Sequence, residues 1–233
     1  SRIVAFSILL IFSNTWIYNS VLNAWTMDIL PKNKVNKATV GVVMGGMSIY
    51  DPKNGNTYSN TLVQGQGNQV ALNTTNQHLG GAHLHTNNGY GIFSWGDLWF
   101  LNEAYIHAPL ALQKDVAFLL VVKNPADLAN PNVYAIIVDD SVKLSQMLNN
   151  DFTNPIYQIK STDSLDKKIE KIHNNDAKLY EKNKSNLEYF FLDKFKEYGI
   201  STYKATNNLD QWFKLEPTIL PNGTKYVNNK PCL

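Results

Sequence analysis

LGGAHLHTNNGYGIFSWGD, residues 79–97, is the stretch from which the fold and a candidate site can be predicted. His83 and His85 stand one residue apart at the end of a run with strand character. Because successive side chains of a strand point to opposite faces, the two imidazoles are expected on one face. The glycine-containing residues 86–93 then let the chain turn back toward the histidine pair.

A helix is predicted directly after this turn. Ser94 and Asp97 are three residues apart, and an apolar pattern with helical spacing follows until Pro109. On this placement the Asp97 carboxylate reaches the histidine pair. Two imidazoles and one carboxylate form a three-ligand set, which leaves a zinc ion one open position for an activated water. The pattern therefore predicts one zinc ion bound by His83, His85 and Asp97.

The same residues also have a purely structural interpretation. A serine followed three residues later by an acidic residue is typical of a helix capping box, which needs no metal. A His-x-His pair by itself is a weak signal, because it also occurs on exposed strands. A metal-free domain in which Ser94 and Asp97 only cap the helix therefore stays open as an alternative.

His-x-His, eight further residues and Ser-x-x-Asp resemble the core signature of JAMM/MPN-type (JAB-like) zinc metallopeptidases. The segment FSWGDL at residues 93–98 is most similar to bacterial JAB-like domains at the C-terminal ends of larger envelope-associated proteins. The resemblance covers about residues 38–216, although only the short motif is specific. It implies a cytidine-deaminase-like/JAB-like fold.

The resemblance also implies an activity and roles for the motif residues. His83, His85 and Asp97 would bind the zinc ion, and Ser94 would be the catalytic residue that supports the oxyanion. The expected reaction is hydrolysis of an amide or isopeptide bond in a peptide or protein substrate. Tyr90 is a candidate substrate-binding residue beside the motif. Trp95 is another, and core packing is the alternative for both.

One residue of the family pattern is missing. In that family a glutamate on an upstream strand takes the proton of the attacking water. Here no glutamate precedes Glu103, and the acidic residues before His83 are Asp28 and Asp51; Thr39 stands near the expected position. Loss of a general base typically costs about 10²–10⁴ in rate. A catalytically silent JAB-like binding or scaffold module is therefore the alternative to the hydrolase.

The amino-acid composition limits the class of protein and the partners that the chain can have. The chain has 233 residues, of which 44% are hydrophobic and 17% charged, as expected for a globular chain with a well-formed core. A net charge of +2 without a basic run argues against nucleic acid as a partner. The single cysteine, Cys232, excludes a disulfide within the chain and a cysteine-based zinc cluster.

The order of elements predicts an α+β fold with a mixed, largely antiparallel sheet, a helix after the His-x-His strand and a C-terminal helical extension. His173, in that extension, is expected to be a solvated helix residue. Strands are predicted at 38–50, 57–63, 69–72, 79–85, 116–122, 133–138 and 200–204; helices are predicted at 94–107, 142–148 and 207–215, with two more between 164 and 198.

Three regions are expected along the chain. Residues 1–31 form an apolar N-terminal segment, 32–216 the JAB-like domain with C-terminal helices from about residue 161, and 217–233 a tail without periodicity. The run at residues 3–18, IVAFSILLIFSNTWIY, is interpreted as a packing segment or as part of an export or anchoring signal. Contact with a membrane is expected only through such a signal or anchor. Together with the resemblance, the run favours the cell envelope or secretion over the cytoplasm.

Overall fold

The computed structural model describes residues 40–47, 58–64, 72, 74, 78–85, 90–124, 126, 131–206 and 211–232. In chain order the elements are β1 (Val40–Met47), β2 (Tyr58–Gln64), β3 (His78–Leu84), α1 (Trp95–His107), β4 (Ala117–Val122), β5 (Asn132–Val138), α2 (Ser141–Asp151), α3 (Leu165–Lys182), α4 (Leu187–Phe195), β6 (Ile200–Ala205), β7 (Trp212–Ile219) and β8 (Lys225–Pro231). Short 3-10 helices cover Leu110–Asp115, Pro155–Tyr157 and Lys184–Asn186.

The strands form one open sheet in the order β2-β1-β3-β4-β5-β6-β7-β8. Every neighbouring pair is antiparallel except β3 and β4, which run parallel. Parallel neighbours need a long connection, and α1 lies within the one that joins β3 to β4. The predicted α+β class, the largely antiparallel sheet and the helix after the His-x-His strand are therefore confirmed.

The core lies between the middle of the sheet and the helices. All six residues of β4 are buried, as predicted for its continuous apolar run. Leu98, Leu101 and Ala104 recur at helical spacing on α1 and are fully buried. Burial of a leucine side chain contributes about 2 kcal/mol. This packing fixes α1 against the sheet and thereby fixes the position of its first turn.

The two helices predicted between residues 164 and 198 are confirmed as α3 and α4, but they are not a C-terminal extension, because β6, β7 and β8 of the same sheet follow them. α3 ends at Lys182 and is capped by Asn183, whose side-chain amide donates to the Leu179 carbonyl at 2.8 Å. A 3-10 turn then leads into α4. Polar asparagines compete for backbone hydrogen bonds, which explains why the helix is interrupted there.

The prediction of a short helix at 207–215 is wrong, because residues from Trp212 onward form β7. β7 pairs with β6 on one side and with β8 on the other, and these partners supply its backbone hydrogen bonds. β8 lies within the region predicted to be an aperiodic tail. Its residues are mostly exposed, so its sequence carries no alternation that would have indicated a strand.

Two predictions concern regions outside the described residues. The apolar segment 1–31 is one, and the strand at 69–72 is the other, since only residue 72 of that range is described. Among the helices that the structure does describe, none combines the length and the apolar character needed to cross a membrane.

Candidate metal centre

The two histidines lie at the C-terminal end of β3, an interior strand of the sheet: His83 is within the strand and His85 directly follows it. His83 pairs with Gly41 of β1 on one side and with Leu120 of β4 on the other. The backbone N–H of His85 donates to the Val121 carbonyl at 3.0 Å, which continues the pairing with β4 beyond the end of β3. Since both residues keep the extended course, their imidazoles lie on one face, as predicted.

Asp97 completes a three-residue cluster, which we call the ligand triad (His83, His85 and Asp97). Nε2 of His83 lies 2.9 Å from Nε2 of His85 and 3.3 Å from Oδ1 of Asp97. One possible ligand atom from each residue lies within 4.8 Å of the other two. A tetrahedral ion with bonds of about 2.0–2.1 Å holds its ligand atoms roughly 3.3 Å apart. The triad therefore has the donor set and nearly the spacing of a zinc site.

The backbone orients the His85 ring. Its Nδ1 donates to the Tyr90 carbonyl at 2.6 Å, so the proton of the neutral imidazole is assigned to Nδ1 and the Nε2 lone pair faces the triad. Metal-binding histidines are typically fixed by such a hydrogen bond from the second ring nitrogen. The Tyr90 carbonyl thus holds one ligand in the tautomer that metal binding requires.

His83 is held in its neutral form. Its ring is buried and stacks on Phe118 with the ring centroids 4.8 Å apart. Burial lowers the pKa of His83 to about 4, although the Asp97 charge opposes this shift. Nδ1 of His83 is buried without a well-formed hydrogen bond in the described part of the chain. A neutral imidazole keeps one nitrogen lone pair that can bind a metal, whereas an imidazolium has none, so burial favours the form of His83 that can be a ligand.

The two oxygens of Asp97 have different partners. Oδ2 accepts from the Ser94 backbone N–H at 2.6 Å and from the Ser94 hydroxyl at 3.0 Å, while Oδ1 faces His83. Asp97 therefore caps the first turn of α1 and also completes the ligand triad. The capping and metal interpretations of Ser-x-x-Asp are both compatible with this carboxylate. Ser94, the predicted catalytic residue, lies beside the triad with its hydroxyl directed to Asp97.

A face of α3 covers the turn that precedes α1. The Tyr180 hydroxyl donates to the Phe93 carbonyl at 2.7 Å, and the Ala177 carbonyl accepts from the Tyr90 hydroxyl at 3.1 Å. His173 lies one turn further along the same face. We call His173, Ala177 and Tyr180 the covering face. It fixes the backbone that carries the Tyr90 carbonyl, and hence the orientation of His85.

His173 is an exposed helix residue, as predicted, and its ring also lies against Gly96 in the first turn of α1. Its ring is exposed, but Nε2 lies 2.4 Å from the point where a Cβ atom of residue 96 would stand. Gly96 is part of the first turn of α1, between Ser94 and Asp97. The spacing of His173 from Tyr180 was the available signal, because residues seven apart share a helix face.

The two predicted substrate-binding residues, Tyr90 and Trp95, differ in how deeply they are buried. Trp95 is fully buried, its Nε1 donates to Asp151 at 2.6 Å and its ring stacks on Trp99. Trp95 therefore belongs to the core, which is the alternative stated for it in the sequence analysis. Tyr90 is half-buried, and its ring packs on Tyr180.

No carboxylate comes from β1, whose sequence is VGVVMGGM. Its residue opposite His83 is Gly41, which has no side chain. Thr39, Asp28 and Asp51 lie outside the described residues. Within the described part of β1, the general base of the family pattern is thus missing from the structure as it is from the sequence.

Comparison of the chain with protein-family models, curated proteins and solved structures gives no match in any of the three.

Proposed function

We propose that the chain is a zinc metallopeptidase-like hydrolase of the JAB-like kind, with the ligand triad as its metal site. The observation that carries this proposal is that Nε2 of His83 lies 2.9 Å from Nε2 of His85 and 3.3 Å from Oδ1 of Asp97, with ligand atoms of all three residues within 4.8 Å of one another. The donor set of two imidazoles and one carboxylate is that of a catalytic zinc with an open position. A bound zinc ion would supply an activated water and polarise the carbonyl of an amide substrate.

The residues around the triad support this chemistry in separate ways. The Tyr90 carbonyl orients His85, and burial against Phe118 keeps His83 neutral. The Ser94 hydroxyl can rotate its hydrogen away from Asp97 and donate it to a developing oxyanion. Such a donor typically contributes about 10²–10³ in rate. We extend the proposal to a peptide or protein as substrate, without nucleic acid as a partner, and to the cell envelope or exterior as the location.

Metal content tests the site itself. The wild-type protein is expected to retain about one zinc ion per chain after dialysis, and His83→Ala is expected to lose it, because the ligand triad is then incomplete. His107→Ala is the matched control, since His107 is a histidine at the far end of α1. Loss of zinc from the control as well, or retention by His83→Ala, would contradict the assignment of the ligands.

Hydrolysis of linked peptides, with and without a chelator, tests the activity. We expect cleavage that the chelator abolishes and that added zinc restores. The second candidate function is a silent metal-binding scaffold, which is favoured by Gly41 opposite His83 and the lack of a carboxylate on β1. A protein that retains stoichiometric zinc but cleaves no peptide is the result that this second candidate predicts.

A further inference from the structure

We propose that His173 is the proton-transfer residue of the metal centre and takes the place of the missing upstream glutamate. This inference rests on the proposed hydrolase function and assigns a catalytic role to a residue of α3, which the sequence motif does not include. Amide hydrolysis needs a group that accepts the proton of the attacking water, and histidine is the side chain that most often does this.

The position of the His173 ring is the first support. A Cβ atom built on Gly96 would lie 2.4 Å from Nε2 and 2.8 Å from Cε1 of His173, and 3.6 Å from the Ser94 hydroxyl oxygen. The edge of the imidazole therefore occupies the space where residue 96 would have a side chain. Since this point is close to both side chains, Nε2 of His173 lies no more than about 6 Å from the hydroxyl oxygen of Ser94, the predicted oxyanion helper, which in turn donates to Asp97 of the ligand triad.

The second support is that α3 cannot easily move away from the site. The Tyr180 and Tyr90 hydroxyls join the covering face to the turn before α1. Tyr180 is almost completely buried, so its hydrogen bond to the Phe93 carbonyl is shielded from water. His173 is thus presented by a helix whose position is fixed over the turn, while its exposed ring stays accessible to a substrate.

The reaction balances with His173 as the only added group. The water oxygen forms a bond to the amide carbon, and one water proton passes to Nε2 of His173. As the carbon–nitrogen bond breaks, the imidazolium returns this proton to the leaving nitrogen. The products are a carboxylic acid and an amine, and the imidazole is neutral again.

Cobalt(II) in place of zinc tests the position of His173 without any assay of activity. Imidazole and carboxylate sites accept several divalent first-row metals. We expect the paramagnetic ion to shift the NMR signals of the His173 ring strongly. The His107 signals should move little, because ten residues of α1 separate His107 from Asp97 by roughly 15 Å. Equal and small shifts for both rings would overturn the inference.

Mutagenesis tests the role. His173→Ala is expected to lower kcat about 10²–10⁴-fold with KM and zinc content unchanged, and Asn174→Ala, an exposed neighbour on α3, should behave as the wild type. Gly96→Ala should lower kcat by displacing the imidazole. The same change made in His173→Ala should have little further effect, because the ring is already gone.

The outcomes separate this inference from the proposed function. A wild-type protein that binds no zinc overturns the metal site and everything built on it. If His173→Ala binds zinc and keeps kcat within about threefold of the wild-type value, a difference smaller than loss of a general base causes, only the role of His173 falls. Zinc-loaded wild type that cleaves no peptide also overturns that role and leaves the metal site intact.

Discussion

Nε2 of His83 lies 3.3 Å from Oδ1 of Asp97, although the first residue belongs to a buried strand and the second to the first turn of a helix. The other Asp97 oxygen is held by two hydrogen bonds from Ser94. The carboxylate is therefore fixed before any metal binds. His83 and Asp97 form a preorganised edge of the ligand triad, and His85 is the third member, held from the turn by the Tyr90 carbonyl.

Without metal, the protein is expected to lose stability as the pH falls. Burial lowers the pKa of His83 to about 4, whereas an unfolded histidine titrates near 6.5. Between these values the unfolded chain binds a proton that the folded chain does not. The stability linked to His83 is therefore fully present above about pH 6.5 and is lost as the pH falls toward 4. The loss from this residue amounts to about 3 kcal/mol.

Urea unfolding of the metal-free protein between pH 7 and pH 4 measures this loss. His83→Gln should show a weaker dependence on pH, because the buried imidazole is gone. His107→Gln should keep the wild-type dependence. Identical pH profiles for wild type and His83→Gln would contradict the assignment.

Asp151→Ala is expected to destabilise the fold by roughly 3 kcal/mol, because two buried donors lose their acceptor. The Asp151 carboxylate accepts from Trp95 Nε1 at 2.6 Å and from the Tyr198 hydroxyl at 2.7 Å. Burial raises the pKa of Asp151, so a neutral amide is a reasonable replacement. Asp151→Asn should therefore cost much less in chemical denaturation, and equal losses for both variants would refute this explanation.

Tyr180→Phe tests whether the covering face supports the metal site. The change removes the hydrogen bond to the Phe93 carbonyl and leaves that buried carbonyl without its partner. We expect a loss of about 1–3 kcal/mol in stability and a fall of about tenfold in zinc affinity, as for other outer-shell changes. Tyr226→Phe, on the exposed part of β8, is the control for both measurements. An unchanged zinc affinity would show that α3 does not support the metal site.

Gly80→Ala is expected to prevent folding or to cost several kcal/mol. Gly80 has a φ angle of +139°, and an added Cβ would lie 1.8 Å from the Ala117 carbonyl oxygen on β4. A backbone atom cannot move aside without breaking the parallel pair that positions His83. Gly91→Ala is the matched control, because no atom of the described residues lies within 4 Å of its Cβ position. Thermal unfolding of the two variants should differ widely, and similar melting temperatures would contradict the packing described.

The part of the site that is local in sequence could be predicted. His83 and His85 follow from the alternation of a strand, and Asp97 from the start of a helix, so periodicity and capping are sufficient. His173 could not be placed in the same way, because its contact with Gly96 depends on how α3 packs over a distant turn. The burial of Trp95 likewise depends on Asp151, far along the chain.

The elements of the fold can likewise be divided into those that local sequence predicts and those that depend on distant contacts. β4 could be predicted from its continuous apolar run, because a strand that is covered on both faces is apolar on both. β7 and β8 are strands because each finds a neighbour in the sheet, and their own residues indicate this only weakly. The mixed burial along β7 is closer to a helical than to an alternating pattern, which is why a helix was predicted there.

X-ray absorption at the zinc edge of the zinc-loaded protein tests the central claim most directly. The ligand triad predicts four-coordinate zinc with two imidazole nitrogens and oxygen ligands at about 2.0–2.1 Å, and no sulfur. A spectrum with a sulfur ligand, or one without imidazole scattering, would contradict it.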